Sequence, residues 1–216
     1  MMFVRKVYSI LACQLSLTTA FIVLVQMSSA FLKFMMSSTG LVITIVAAVM
    51  NIVFLYAIIC CFRKKAPLNF YLLLGFTLCE SWMVAGFTAG FPAKLVILAG
   101  LATALTTIAL TIYAMRTKQN IEFFYAITFV IYLAMLPLFI IGLVMRSEVL
   151  HIVYCALGLL FYSVFLIIDT MHICGGKSVG GYALDMDEYI MGALMLYIDI
   201  IMIFIYILKL LGAANR

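Results

Sequence analysis

Charged residues are scarce in this chain: Asp, Glu, Lys and Arg together make up 10% of its 216 residues, whereas 68% are hydrophobic. Soluble domains contain about 25% charged and about 45–50% apolar residues. A soluble core could not bury so large an apolar fraction. The composition therefore excludes a soluble protein and indicates that a lipid bilayer surrounds most of the chain.

Cysteine and proline are also few, with six cysteines and three prolines. The cysteines form no C-x-x-C motif and show no metal-ligand spacing, so the sequence predicts no disulfide framework. Cys60 and Cys61 precede the basic run Arg63-Lys64-Lys65. They are therefore either palmitoylation sites at a membrane surface or small packing residues.

The apolar residues form long runs that are separated by short connections. A membrane-spanning helix needs about 20 apolar residues, and the first run is too long for the core of a signal peptide. The sequence predicts an all-α, polytopic membrane protein: a single domain over residues 1–216 with seven spans. The predicted spans, with bounds good to a few residues, are approximately 7–31, 41–62, 68–90, 94–115, 121–145, 149–173 and 188–211.

The distribution of Lys and Arg predicts the orientation. The basic residues on the N-terminal side of the predicted bundle are Arg5, Lys6, Arg63, Lys64, Lys65, Arg116, Lys118 and Lys177, and those between spans on the other side are Lys33, Lys94 and Arg146. By the positive-inside rule the N-terminus is cytosolic, and this clustering argues against nucleic-acid binding. Lys209 and Arg216 lie outside if the last segment crosses the membrane, and inside if it re-enters.

Three acids interrupt the apolar runs: Glu80, Asp169 and Asp199. A charged side chain at the bilayer centre costs at least about 2.5–3.5 kcal/mol, so such groups are paired, hydrated or functional. If the last helix begins near Asp185, Asp199 lies roughly 20 Å along its axis. Glu80 is either a protonated acid bonded to a neighbour or part of an ion path.

Asp169 and Asp199 could form a pair, although spacing alone does not decide this. Two carboxylates in contact at a poorly hydrated site would share one proton and act as a proton sensor. Without the proton they would offer hard oxygen ligands suited to calcium. The alternative is two acids that bond separately to nearby backbone. His172, one helical turn after Asp169, either tunes that acid or is an interfacial histidine.

Several motifs resemble the transmembrane BAX inhibitor motif family, and in particular its Lifeguard and Golgi anti-apoptotic branch. The resemblance covers nearly the whole chain. The matching segments are Phe3-Val4-Arg5-Lys6-Val7-Tyr8, Gln14-Leu15, Pro67-Leu68-Asn69-Phe70, Ile168-Asp169-Thr170, Asp187-Glu188-Tyr189-Ile190 and, after Ala193-Leu194, Leu196-Tyr197-Ile198-Asp199-Ile200-Ile201. One departure is Met202, where relatives commonly place Asn.

The resemblance implies a seven-helix bundle whose last helix is surrounded by the others. It implies a pH-sensitive calcium leak carried by Asp169 and Asp199, with Ca²⁺ as the permeant ion and no cofactor. In some relatives a basic residue latches the acid pair, and Arg63 is the candidate here. The resemblance also implies residence in endoplasmic reticulum or Golgi membranes and suppression of apoptosis by lowering stored calcium.

Two other functions compete with the leak. One is a non-conducting membrane scaffold or receptor that regulates cell death, with membrane lipid and cell-death regulatory membrane proteins as partners. The other is an intramembrane aspartyl protease, in which paired acids activate water. The sequence argues against the protease, because Asp199 follows Tyr197-Ile198 rather than a G-x-G-D motif and no P-A-L follows. We therefore expect no enzymatic activity.

Overall fold

The computed structural model describes residues 2–61, 68–117, 119–145, 147–175 and 188–215, and these ranges contain helices and no strands. The helices are α1 (Met2–Met27), α2 (Ser29–Met35), α3 (Ser38–Tyr56, followed by a π-helical turn at Ala57–Cys61), α4 (Leu68–Thr88), α5 (Ala93–Arg116), α6 (Ile121–Met145), α7 (Glu148–Gly175) and α8 (Tyr189–Ala214). Within the described ranges, seven of them are long and apolar enough to cross a membrane, all except α2. The predicted all-α class with seven spans is confirmed.

The first span is predicted at approximately 7–31, and α1 ends at Met27, four residues before that approximate bound. Ser28 has an extended backbone (φ −108°, ψ 107°), and its hydroxyl accepts a hydrogen bond from the Phe31 N–H, so it caps the separate helix α2. Ser37 caps α3 in the same way by accepting from Gly40. Serine at such a position satisfies a backbone N–H at the start of the helix that would otherwise lack a partner. Hydropathy alone does not detect the break between two helices at such a serine.

The other span boundaries differ from the prediction by a few residues, and α6 matches it with Pro137 inside the helix. The largest consequence concerns α8. This helix begins at Tyr189, so Asp199 lies ten residues from its start, roughly 15 Å along the axis rather than the expected 20 Å. Asp185, from which the longer distance was measured, lies outside the described residues.

One compact unit consists of residues 1–93 and 184–197. Within it, α1 and α3 both pack against α4. Its apolar core includes Val25, Met35 and Ala85, with Trp82 packed against them. The turn between α2 and α3 is tight, because a Cβ atom at Gly40 would collide with backbone carbonyl groups of α2.

A second compact unit consists of residues 94–183 and 198–216. Within it, α6 packs against α7. The core includes Phe124, Ile167 and Ile168, so the apolar residues of α7 immediately before Asp169 are buried. This packing fixes the face of α7 on which Asp169 lies.

Helix α8 is by far the most buried span. Of its most apolar 18 residues, 72% are buried inside the protein, against 11–33% for the other six candidate spans. A helix that contacts protein rather than lipid can hold polar groups that the bilayer would reject. The burial of this helix explains why it tolerates Asp199, and its central position among the other spans stays a prediction.

Candidate functional site: a buried aspartate pair

Asp169 and Asp199 come from neighbouring spans in the sequence and meet inside the protein. Asp169 precedes the end of α7 at Gly175 by six residues, and Asp199 follows the start of α8. Each is only 5% exposed, and their carboxyl groups form a side-chain hydrogen bond with each other. An ionised carboxylate only accepts hydrogen bonds, so two carboxyl groups bond to each other directly only when they share a proton.

The surroundings of the pair are largely apolar. Ile168, Ile200 and Ile201 are at most 7% exposed. In the part of the chain that the structure describes, Asp199 Oδ2 and Thr170 Oγ1 are buried without a hydrogen-bond partner. A buried oxygen without a partner is costly, so Asp199 Oδ2 has room for a further hydrogen-bond donor.

Two aromatic side chains lie near the acids. Tyr162 interacts electrostatically with Asp199, and Tyr125 interacts in the same way with Asp169. The His172 ring lies against Tyr125, with 6.2 Å between the ring centroids, and His172 is half-buried. The structure therefore brings His172 into contact with Tyr125, and its role in tuning Asp169 stays a prediction.

Glu80 lies in the other compact unit and has a different environment. The Asn51 side-chain amide donates a hydrogen bond to Glu80 Oε2 at 2.7 Å. Glu80 is half-buried. Glu80 therefore has a hydrogen-bond partner, while the choice between a protonated acid and part of an ion path stays a prediction. Arg63, the candidate latch, lies outside the described residues, so its role stays a prediction.

A network of neutral polar groups in the first unit was missed by the sequence reasoning. Thr18 Oγ1 lies 2.9 Å from Ser81 Oγ and 2.8 Å from the Tyr197 hydroxyl. The Gln14 amide donates to Thr77 Oγ1 at 2.9 Å. The signal was present in the sequence: α1 and α4 each place two polar residues four apart, on one helical face.

These features define a class: an α-helical membrane protein with seven candidate spans and a pair of hydrogen-bonded aspartates in its interior. The family model for the inhibitor of apoptosis-promoting Bax1 matches residues 1–216. The chain belongs to this family, which confirms the resemblance found in the sequence.

Individual relatives align over nearly the whole chain. The sequence is 33% identical to protein lifeguard 4 of Mus musculus and 30% identical to the Golgi anti-apoptotic protein of Vaccinia virus (strain Lister), with 100% of this chain and 87% of each relative covered. It is also 31% identical to protein lifeguard 3 of Homo sapiens, over 99% of this chain and 69% of that protein.

Proposed function

We propose that this protein is a calcium leak channel of intracellular membranes, that protonation of the Asp169–Asp199 pair gates it, and that it lowers stored calcium and so suppresses apoptosis. One observation supports this above all: two carboxyl groups, each 5% exposed, contact each other within candidate membrane spans. Neither acid is needed to terminate or cap a helix there.

Electrostatics explains why such a pair responds to protons. Two like charges about 4 Å apart repel by about 4 kcal/mol at an effective dielectric constant of about 20. Burial adds a further cost for each ionised group. A single shared proton removes the repulsion and replaces it with a charge-assisted hydrogen bond. The pair therefore has two states that differ strongly in energy.

These two protonation states correspond to the closed and the open channel. In the protonated state the hydrogen bond ties α7 to α8, and the path is shut. In the ionised state repulsion separates the two helices, and the carboxylates become oxygen ligands for Ca²⁺. Calcium takes about 6–8 oxygen ligands, and two carboxylates supply only part of that number. An ion is thus bound weakly enough to leave again, as conduction requires.

The cellular role rests on the relatives. One of them is named a Golgi anti-apoptotic protein, which supports residence in Golgi or endoplasmic reticulum membranes. The Lys and Arg distribution supports a cytosolic N-terminus. Leak of calcium from such a store would reduce the amount available for release during cell death. Cell-death regulatory membrane proteins are the partners expected in the same membrane.

The test is calcium flux into liposomes that contain the purified protein and a trapped calcium dye. We expect wild-type flux to be low at acidic pH and high at alkaline pH. Asp199→Asn keeps the side-chain shape but cannot ionise, so its flux should lose the pH response. Glu80→Gln is the matched control, because it alters an intramembrane acid outside the pair. Wild-type-like, equally pH-dependent flux through Asp199→Asn would remove the hypothesis and favour the non-conducting scaffold.

A further inference from the structure

A row of polar and reactive side chains runs along α7 from the aspartate pair to the other end of the helix. Seven residues make almost two helical turns, so residues at this spacing share one face, with a drift of about 20° per step. On α7 the row is Glu148, Cys155, Tyr162 and Asp169, and on α8 the same spacing gives Asp199, Tyr206 and Ala213. All of these residues belong to the second compact unit.

Side-chain contacts join the two rows. The rings of Tyr162 and Tyr206 stack, with 5.8 Å between their centroids. Tyr206 also contacts Tyr154, at 6.5 Å between ring centroids, and shares a side-chain hydrogen bond with it. The three tyrosines therefore form a continuous file, and Tyr162, at one end of it, interacts electrostatically with Asp199.

The file leads to a cavity of about 500 Å³ at the start of α7. Its lining includes Gly142, Glu148, His151, Tyr154 and Ala213, so it combines a carboxylate, an imidazole and a phenol with apolar walls. Glu148 precedes Asp169 by 21 residues, roughly 31 Å along the α7 axis. The cavity therefore lies at the membrane side opposite the predicted cytosolic side.

Tyr206 lies on α8 midway between Asp199 and Ala213, and Ala213 lines the cavity. Tyr206 is 6% exposed. Its ring lies directly against the backbone of α7 at Gly158, where any Cβ atom would collide with it. The Lys209 ammonium group lies 5.3 Å from the centre of the same ring. The ring therefore closes the gap between α7 and α8 at Gly158, and the Lys209 side chain lies beside it.

We propose that this cavity is the non-cytosolic vestibule for the divalent cation, and that the Tyr206 ring is the barrier between the vestibule and Asp199. The proposal rests on the calcium leak proposed above and adds the route by which the ion reaches the acids. The aromatic ring acts as a steric and apolar constriction, which is one of the ways in which channels close. An ion that crosses the membrane by this route passes both the Tyr206 ring and the acid pair, so either one can stop the flux.

The first test removes the ring. Tyr206→Ala should raise calcium flux at alkaline pH by about tenfold, because a constriction is lost. Tyr206→Phe is the matched control: it keeps the ring, and its flux should stay within about twofold of wild type. At acidic pH the protonated pair still closes the path, so Tyr206→Ala should remain low there. A leak caused by misfolding would be insensitive to pH and would also release the trapped dye.

The second test fills the vestibule. A Cβ atom at Gly142 or at Gly100 would meet no other atom within 4 Å, so both positions have room for a larger side chain. Only Gly142 lines the cavity. Gly142→Trp should reduce flux by about tenfold, whereas Gly100→Trp on α5 should leave it at the wild-type level.

The outcomes separate this inference from the proposed function. If Asp199→Asn abolishes the pH response while Tyr206→Ala and Gly142→Trp both behave as wild type, the vestibule is wrong and the leak stands. If wild-type protein passes no calcium, both proposals fail together. A rise in flux with Tyr206→Ala, combined with a fall with Gly142→Trp, supports the route.

Discussion

The two compact units handle buried polar groups in different ways. In the first, the hydroxyl groups of Thr18, Ser81 and Tyr197 bond to one another. In the second, two carboxyl groups bond to each other. Neutral groups keep the same charge at every physiological pH, so their network only stabilises the fold. A carboxyl pair changes charge when it loses a proton, so in the proposed leak channel this contact is the switch.

The largest expected effect comes from the aspartate pair. Asp169→Asn and Asp199→Asn should each abolish the rise of calcium flux with pH, and the double variant should do nothing more. The reason is that two groups sharing one proton act as a unit, and their effects are not additive. Flux measured in liposomes at several pH values checks this. Independent, additive losses from the two single variants would show that the acids act separately.

A smaller effect is expected from the neutral network. Thr18→Val keeps the side-chain shape but removes the hydroxyl that contacts both Ser81 and Tyr197. Because hydrogen bonds inside membrane proteins contribute about 0.6 kcal/mol on average and up to about 1.7 kcal/mol, we expect a loss of about 1–2 kcal/mol in unfolding free energy. Unfolding in detergent measures it, and the pH dependence of flux should not change.

Thr107→Val is the control for that variant. In the described part of the chain, Thr107 Oγ1 is buried without a hydrogen-bond partner, so replacing the hydroxyl by a methyl group should cost nothing or stabilise the protein slightly. An equal loss from Thr18→Val and Thr107→Val would mean that the network contributes no stability beyond packing.

The smallest effect is expected from Glu80→Gln. The glutamine carbonyl can still accept the hydrogen bond that Asn51 donates, so stability should change by less than about 0.5 kcal/mol. Calcium flux and its pH response should match wild type. A clear loss of flux in this variant would place Glu80 on an ion path. The acids that control flux would then not be confined to the second unit.

Much of the fold could be predicted, because apolar runs of bilayer length have few other structures available to them. The break at Ser28 could not, since one capping serine hardly changes the hydropathy of the run around it. The contact between Asp169 and Asp199 could not be derived from spacing either. It depends on how two helices pack across a loop, so the acids in the apolar runs left the pair as one of two alternatives, and the family resemblance favoured it. The Thr18 network went unnoticed because its polar residues are small and scattered among apolar ones.

The most direct measurement of the central claim is infrared spectroscopy of the carboxyl groups as a function of pH, with the Glu80→Gln variant as background. A protonated carboxyl signal should be present at the acidic pH where calcium flux is low and disappear over the same pH range in which flux rises. In Asp199→Asn, the loss of the protonated carboxyl signal and the rise in calcium flux should no longer occur over the same pH range. A signal that stays constant while flux changes, or carboxyl groups already fully ionised in the closed state, would contradict the shared proton as the gate.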